Sequence, residues 1–470
     1  MKEAKSQPLT SVGKGGRVAL LPRAGDRSTR QTDHSETVRM ARAQQLSIIV
    51  HCHLRWDFVW QRPQQIFSRL SANHPILFLE DPVGATGEAR LEVSEPHPNV
   101  VRAVPVLPGC ETLNADAQCK QVLPLLLRAL DEHPLMAGRF ERRVQWFYSP
   151  MSAPAFLGRL GAVATVYDCM DELANFRFAP PDIGKREQLL LSQADVVFTG
   201  GYKLYQAKSK RHSNTHFYGC GVDVGHFGKA RLAETVLPEE VAHLPRPVLG
   251  YFGVIDERLD YPLIARLAKN FPNASIVMAG PTAKIDPTTL PCPPNVYWLG
   301  QRDYSDLPAL VKGFDVCLMP FALNEATQYI NPTKTLEYMA AGKPIVSTAV
   351  PDVIRNFTPI VNVAYSHDEF IAGIRETLRH PDPKLIAQGI ECASAASWES
   401  IVAAMRMHIL DALPAPYVVT GDASAMEYGT AKTAPRVSPR KTARPAISTG
   451  VSPSTFSADS SWGRATANDA

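Results

Sequence analysis

Residues 331–348 read NPTKTLEYMAAGKPIVST, and this stretch decides the fold class. Asn331 is a favourable N-cap residue and Pro332 suits the first position of a helix, whereas Gly342 suits the position just past a helix end. Apolar residues at 336, 339 and 340 predict one buried face, and Pro344 then introduces a strand. The pattern predicts a helix of about three turns that leads into a strand of a βαβ unit.

The start of this helix also carries chemistry. Free N–H groups and the partial positive charge of a helix N-terminus favour a bound diphosphate. Lys334 adds a full charge in the first turn, and the Glu337 carboxylate, about one turn further, can accept hydrogen bonds from ribose hydroxyls. With Asn331 and Thr333, these side chains form a predicted binding group for a nucleotide diphosphate.

The rest of the chain repeats the same alternation of apolar runs and helix-length segments in two series. A glycine-rich break at 219–228 separates the series. Buried strands spaced by helices indicate parallel sheets, so the sequence predicts an α/β protein of two Rossmann-like, doubly wound lobes with an interlobe cleft. The predicted strands are 46–51, 76–80, 102–106, 144–148, 164–168 and 196–199, then 248–253, 275–280, 296–299, 316–320, 344–347 and 361–365.

Composition sets the domain boundaries. The polar ends cannot bury enough apolar surface to offset their ordering entropy, so both are predicted to be disordered. Residues 1–44 are the first tail, 45–225 an N-terminal Rossmann-like lobe, 226–246 a linker, 247–392 a C-terminal Rossmann-like lobe, 393–413 a C-terminal helix, and 414–470 the second tail.

Charge and cysteine usage exclude several classes of protein. A net charge of +3 over 470 residues is too weak to predict a nucleic-acid partner. The 8 cysteines are scattered without a CxxC or Cys/His cluster, which argues against a zinc site and fits the cytoplasm. We expect no transmembrane helix. The basic N-terminal arm is a candidate for contact with the inner membrane surface, although its composition favours a solvated tail.

The stretch at 331–348 resembles the signature helix of the retaining GT-B glycosyltransferases of family 4, also called group 1. In that family a Glu precedes a second Glu by eight positions, and Ala–Gly–x–Pro–Val follows. Glu337 and the segment 340–346 match the later part, whereas Tyr329 stands at the position of the first Glu. The resemblance implies that Glu337 holds the donor ribose, and we expect the loop 327–333 to replace the missing sugar contact.

Two further segments supply site candidates in the second lobe. Residues 249–260 follow its first strand, where Gly253 lets the backbone approach a ligand and Arg258 can pair with phosphate. The alternative for Arg258 is a surface pair with Glu257 or Asp260. In 298–321, Gln301 and Tyr304 are candidates to border the nucleotide base.

The first lobe carries the predicted acceptor side of the cleft. Residues 51–65 resemble a subgroup of bacterial exopolysaccharide and cell-wall glycosyltransferases, and their candidates for acceptor binding are His53, Trp56 and Arg62. Asp168 and Asp171 follow another strand and are candidates to orient the acceptor. Capping of the next helix is the alternative for both carboxylates.

These observations predict a glycosyltransferase that moves a sugar from a nucleotide diphosphate donor to a saccharide or lipid-linked acceptor. The predicted catalytic residues are Asp168, Asp171, Arg258 and Lys334, with no metal and no cofactor. By the resemblance, the transfer retains configuration. A sugar-nucleotide epimerase, a phosphorylase and a non-catalytic nucleotide-sugar-binding protein are the alternatives. The missing GxGxxG motif argues against a dehydrogenase.

Overall fold

The computed structural model describes residues 46–176, 179–325 and 327–414. Both predicted tails, apart from residue 414, and the basic arm lie outside this part of the chain. Two sheets, one in each half of it, organise the fold.

The first lobe is built on a nine-stranded sheet of order β3-β5-β2-β1-β6-β7-β8-β9, with β4 antiparallel to β5. Parallel pairing joins the other strands, and β1 lies between β2 and β6. The strands are β1 Leu46–Cys52, β2 Ile76–Glu80, β3 Val83–Gly84, β4 Arg90–His97, β5 Val100–Leu107, β6 Arg142–Phe147, β7 Ala164–Cys169, β8 Val196–Thr199 and β9 Thr215–Phe217.

The second lobe is a six-stranded parallel sheet of order β12-β11-β10-β13-β14-β15. This order reverses direction between β10 and β13, as in a Rossmann fold. The strands are β10 Val248–Phe252, β11 Ser275–Ala279, β12 Val296–Gly300, β13 Val316–Met319, β14 Ile345–Thr348 and β15 Asn362–Ala364.

Helices connect the strands and cover the sheets. In chain order they are α1 Arg62–Leu70, α2 Ala115–Glu132, α3 Ala153–Phe156, α4 Ile183–Gln193, α5 Tyr202–Lys208, α6 Val224–Gly228, α7 Glu239–Ala242, α8 Tyr261–Asn270, α9 Leu307–Lys312, α10 Thr333–Ala340, α11 Pro351–Phe357, α12 His367–Arg379, α13 Pro383–Ala395 and α14 Trp398–Ala412. Among the described residues, no helix is both long and apolar enough to cross a membrane.

Each lobe has its own apolar core. In the first lobe, two clusters contain residues that alternate along the strands, such as Ile48 and Ile49 of β1, so the sheet is packed on both faces. The last helix, α14, packs into the first of these clusters through Trp398 and Met405. Arg69 of α1 bonds to Glu399 of α14 at 2.7 Å, so the end of the chain is fastened to the first lobe.

The fold class predicted from the sequence is confirmed, since both halves are α/β with parallel sheets. Strands β3, β4 and β9 were not predicted. Strand β4 lies beside β5 with only partly buried and exposed residues, and charged residues such as Arg90 and Glu92 interrupt any continuous apolar run that would have predicted it.

The signature helix starts one residue later than predicted. Pro332, in an extended conformation, is the N-cap of α10, and Asn331 precedes the cap. Across the lobes, a Cβ built on Gly219 would lie 2.6 Å from the Asn331 amide nitrogen, so Asn331 packs against the first lobe instead of capping. Gly342 adopts a left-handed φ of 69° just past the helix end, as its position in the sequence predicts.

Candidate active site

The two lobes enclose a cavity of about 510 Å³. It lies beyond the carboxyl ends of the strands, where the order of each sheet reverses, which is the usual ligand position in doubly wound folds. Trp60 and Asp171 line it from the first lobe, and Gly253, Arg258 and Lys334 line it from the second. A ligand in this cavity therefore touches both lobes.

The start of α10 opens into this cavity. Asn331, Pro332, Thr333 and Lys334 all line it. No side chain within the described ranges caps this helix, so its first N–H groups are available to an acceptor group from a ligand. The predicted binding group is thus brought together at one wall of the cavity.

Lys334 is held by its own helix. Its Nζ lies 2.9 Å from Glu337 Oε2 and 4.6 Å from the centre of the Phe252 ring. Glu337 is itself 7% exposed and lines the cavity. The ion pair leaves this wall with no net side-chain charge, while the ammonium group keeps further N–H donors for a ligand.

Gly253 begins the loop that faces this helix. Its φ of +148° is accessible to glycine, and a Cβ there would lie 2.6 Å from Tyr251 Oη and 3.1 Å from Lys334 Cε. The absence of a side chain therefore lets β10 end in direct contact with the lysine of the binding group.

Arg258 also lines the cavity, but neither Glu257 nor Asp260 binds its guanidinium. Its guanidinium bonds instead to Asp256, with Nε 3.0 Å from both carboxylate oxygens and Nη2 2.6 Å from Oδ2. Asp256 is 5% exposed, and a buried charge needs a partner. The alternative for Arg258, a surface pair with Glu257 or Asp260, is therefore not formed, and the partner stands two residues earlier in the same loop.

Asp171 is half-buried at the opposite side of the cavity. Burial raises its pKa, and the charges of Arg258 and Lys284 act in the opposite direction. The carboxylate is therefore within electrostatic reach of the second lobe. It caps no helix, because Glu172 precedes the next helical turn and α4 begins after Asp182.

Asp168 does not face the cavity, although the sequence predicts that it orients the acceptor. It is 0% exposed, and Arg62 Nε lies 3.1 Å from both of its oxygens. The same guanidinium donates from Nη1 to the carbonyl oxygen of Tyr218 at 2.9 Å. Arg62 does line the cavity, at 3% exposure, yet its charge is neutralised inside the first lobe.

The other acceptor candidates of the first lobe differ in their surroundings. Trp56 lines the cavity but is 5% exposed, and it packs edge-on against Phe78 at 5.1 Å between ring centres. His53 does not belong to the described cavity lining; burial and the charge of Lys284 lower its pKa to about 4. His53 is thus a neutral side chain beside the cleft.

Aromatic and amide side chains join the lobes at one rim of the cavity. Gln65 Nε2 donates to Tyr304 Oη at 2.9 Å, and Gln301 Nε2 donates to the Phe58 carbonyl oxygen at 2.7 Å. Tyr304 stacks on His226 with 4.2 Å between ring centres. The two candidates for the base, Gln301 and Tyr304, line the cavity and also bridge it.

The loop 327–333 closes the other rim. Gly201 of the first lobe comes so near that a Cβ would lie 2.5 Å from the Tyr329 carbonyl oxygen, and Lys203 Nζ bonds to Gln328 Oε1 at 2.9 Å. Tyr329 packs against the core of the first lobe. Tyr329, at the position of the first Glu of family 4, therefore contributes to the contact between the two lobes.

Groups of three or more His, Cys, Asp or Glu side chains able to hold a metal ion are absent from the described ranges. The missed features of the site are the Asp256–Arg258, Arg62–Asp168 and Gln65–Tyr304 contacts. The last two join residues 106 and 239 positions apart, and no local pattern in the sequence reports them.

Comparison with known proteins decides the class. Residues 246–380 match the family model described as Glycosyl transferases group 1. Over 270 residues the chain is 26% identical to a Bacillus subtilis protein named "Putative teichuronic acid biosynthesis glycosyltransferase TuaH". The aligned region covers 53% of this chain and 67% of the relative. The chain is a GT-B glycosyltransferase. The model match falls on the lobe that carries α10, Gly253 and Arg258.

Solved structures of other proteins superpose on the two-lobed fold of this glycosyltransferase. A trehalose-6-phosphate protein from E. coli bound with UDP-2-fluoro glucose superposes with a TM-score of 0.55 at 16% identity, covering 77% of this chain and 99% of that one. A sucrose-phosphate synthase from Thermosynechococcus elongatus gives 0.57 at 16% identity, covering 78% and 98%. At these identities the likeness shows the GT-B fold alone.

Proposed function

We propose that this glycosyltransferase takes its sugar from a nucleotide diphosphate donor bound at the start of α10. The observation that carries the proposal is the uncapped helix N-terminus, with Thr333 and Lys334, opening into the interlobe cavity. Arg258 faces the same space. Backbone N–H groups, an ammonium and a guanidinium together suit a pyrophosphate better than any neutral ligand.

The proposed donor uses both members of the ion pair at this wall. Lys334 Nζ lies 2.9 Å from Glu337 Oε2. A phosphate oxygen near the helix start attracts the ammonium, which leaves the Glu337 carboxylate to accept hydrogen bonds from the ribose hydroxyls. Two charges of opposite sign thereby serve two chemically different parts of the same ligand.

Charge develops on the leaving diphosphate as the glycosidic bond breaks. Preorganised donors at that point lower the barrier, and the loss of one such donor typically costs about 10²- to 10³-fold in rate. We assign this task to Lys334, Arg258 and the α10 N–H groups, because all three line the same cavity. Retention of configuration, with the leaving phosphate accepting the acceptor proton, rests on the family resemblance and needs no protein nucleophile.

The acceptor is proposed to lie between the donor site and the first lobe. Asp171 lines that side of the cavity and can accept a hydrogen bond from an acceptor hydroxyl. The similarity to a protein named for teichuronic acid biosynthesis supports a saccharide or lipid-linked acceptor in polysaccharide assembly. We also propose that the transfer is metal-independent and cytoplasmic, with peripheral contact at the membrane.

A panel of nucleotide sugars tests the donor proposal. Each is added to the protein and to the Lys334→Ala variant, and the shift in melting temperature and the release of free nucleotide are followed. At least one donor should stabilise the parent protein and not the variant. The exposed Lys269 of the same lobe gives a matched control, Lys269→Ala, which should behave as the parent does.

The same panel separates the alternatives. Donor binding without any transfer to saccharide or lipid-linked acceptors favours a non-catalytic binding protein, the alternative that Tyr329 at the position of the family Glu suggests. Conversion of one nucleotide sugar into its epimer favours an epimerase. If no nucleotide sugar stabilises the parent protein, the donor proposal is wrong.

A further inference from the structure

A buried lysine lies behind the loop that carries Asp171. Lys208, the last residue of α5, has a side-chain exposure of 2%. Its Nζ lies 3.0 Å and 2.9 Å from the two carboxylate oxygens of Glu172, and 2.5 Å from Glu187 Oε1. Glu172 directly follows Asp171 in the chain, so the lysine is bonded to the residue next to a candidate catalytic carboxylate.

The remaining members of this cluster complete its charge balance. Arg211 Nη1 bonds to Glu187 Oε2 at 2.7 Å, and Tyr167 Oη donates to Glu187 Oε1 at 3.0 Å. Lys208 and Arg211 thus offset the two carboxylates. Glu187 belongs to α4 and Tyr167 to β7, so the cluster connects the Asp171 loop to three separate elements of the first lobe.

Adjacent residues of the loop face opposite directions. Met170 and Asp171 line the cavity, whereas the Glu172 side chain turns back to Lys208. The thiol of Cys169 also donates to the Asp171 carbonyl oxygen at 3.4 Å. The Glu172 contact is therefore a charged attachment of the loop, one residue away from the carboxylate that lines the cavity.

We propose that Lys208 is a positioning residue, whose ion pair with Glu172 fastens the loop 170–172 so that Asp171 faces the interlobe cavity. A buried ion pair is weak support for stability, because apolar residues of similar volume often replace one without loss. Its specific effect is on position, since the buried ammonium is itself held by Glu187 and contacts both carboxylate oxygens of Glu172, which restrains the loop at that residue. The inference rests on the proposed role of Asp171 towards the acceptor.

Three variants and a rescue test this inference. Lys208→Met removes the charge at similar length, and Glu172→Gln weakens the same contact from the loop side. Arg211→Gln is the matched control, because Arg211 bonds to Glu187 and leaves the Lys208–Glu172 pair in place. Lys208→Arg restores a cation at the same position.

The readouts are sugar transfer, affinity for UDP by calorimetry, and hydrogen exchange of residues 170–176 by mass spectrometry. In Lys208→Met and Glu172→Gln, kcat should fall by about 10- to 100-fold, because misplacing one catalytic group by about 1 Å has effects of this size. UDP affinity should change by less than about twofold, since the donor wall is in the other lobe. Exchange in the loop should be faster, and Lys208→Arg should recover much of the rate.

Unchanged kcat in both folded variants would overturn the inference, as would an equal loss of kcat in Arg211→Gln. A parallel loss of UDP affinity would also overturn it, since that pattern indicates general damage. If Lys208→Met does not fold, the kcat of Glu172→Gln alone tests the inference. If no nucleotide sugar stabilises the parent protein, the donor proposal fails separately. Loop exchange in Glu172→Gln that matches the parent would overturn the fastening of the loop itself.

Discussion

Replacement of Asp168 by Ala separates a structural carboxylate from a catalytic one. The Asp168 and Arg62 side chains are 0% and 3% exposed, and the substitution leaves a guanidinium inside the first lobe without its counter-charge. Breaking a buried pair in this way typically costs about 3–5 kcal/mol. For a lobe of this size, about 3 kcal/mol corresponds to a fall in melting temperature of roughly 6–12 °C.

The assay is urea unfolding followed by tryptophan fluorescence, which reports on the first lobe through Trp146 in its core. Glu92→Ala provides the control, because the Arg90–Glu92 pair is 49% and 57% exposed and such surface pairs contribute about 0–1 kcal/mol. The double variant Arg62→Met/Asp168→Leu should lose much less than the two single changes together, since no unpaired charge remains.

Unchanged stability in Asp168→Ala together with a large loss of transfer activity would refute this reasoning. It would return Asp168 to the acceptor-orienting role that the sequence suggests. A fall in stability comparable to that of Glu92→Ala would likewise contradict the assignment of a buried, structural ion pair.

Gly253→Ala should lower the free energy of unfolding by about 1–3 kcal/mol, because its φ of +148° disfavours any side chain, and it should abolish binding of whichever nucleoside diphosphate the parent protein binds; urea unfolding and calorimetry check this. Burial lowers the pKa of His51 to about 3, so the unfolded chain binds more protons below its ordinary value of 6.5. Unfolding free energy should therefore fall on acidification, by roughly 2–3 kcal/mol from about pH 7 to about pH 4.5, and by less in His51→Phe. Transfer rates measured with EDTA should match those without it.

Strands such as β1 and β10 were predictable because every residue in them is buried, so a continuous apolar run marks each one. The short parallel strands β3 and β9 are only partly buried and carry no such run. The position of α10 beside the cavity was predictable from one local segment, since Pro332, Lys334 and Gly342 lie close together in the sequence. Its exact start was not, because Asn331 packs against Gly219 from the other lobe. Contact across lobes thus decided which residue became the cap.

The partners of the charged candidates could not be predicted from spacing. Arg62 and Asp168 stand on different elements, and their pairing depends on the neighbouring positions of β1 and β7 around β6. Arg258 bonds to Asp256, two residues earlier, because the loop after β10 turns back on itself. A sequence shows which charges exist, whereas the fold determines which of them neutralise each other.

The direct test of the central claim is a calorimetric comparison of nucleoside diphosphates with monophosphates of the same base. If the start of α10 binds a pyrophosphate, one of UDP, GDP or ADP should bind at least about 10-fold more tightly than its monophosphate, a difference of about 1.4 kcal/mol. Lys334→Ala should remove most of that difference, and Lys269→Ala should leave it intact. Equal affinity for the diphosphate and the monophosphate of every base, or a difference that survives in Lys334→Ala, would contradict the account.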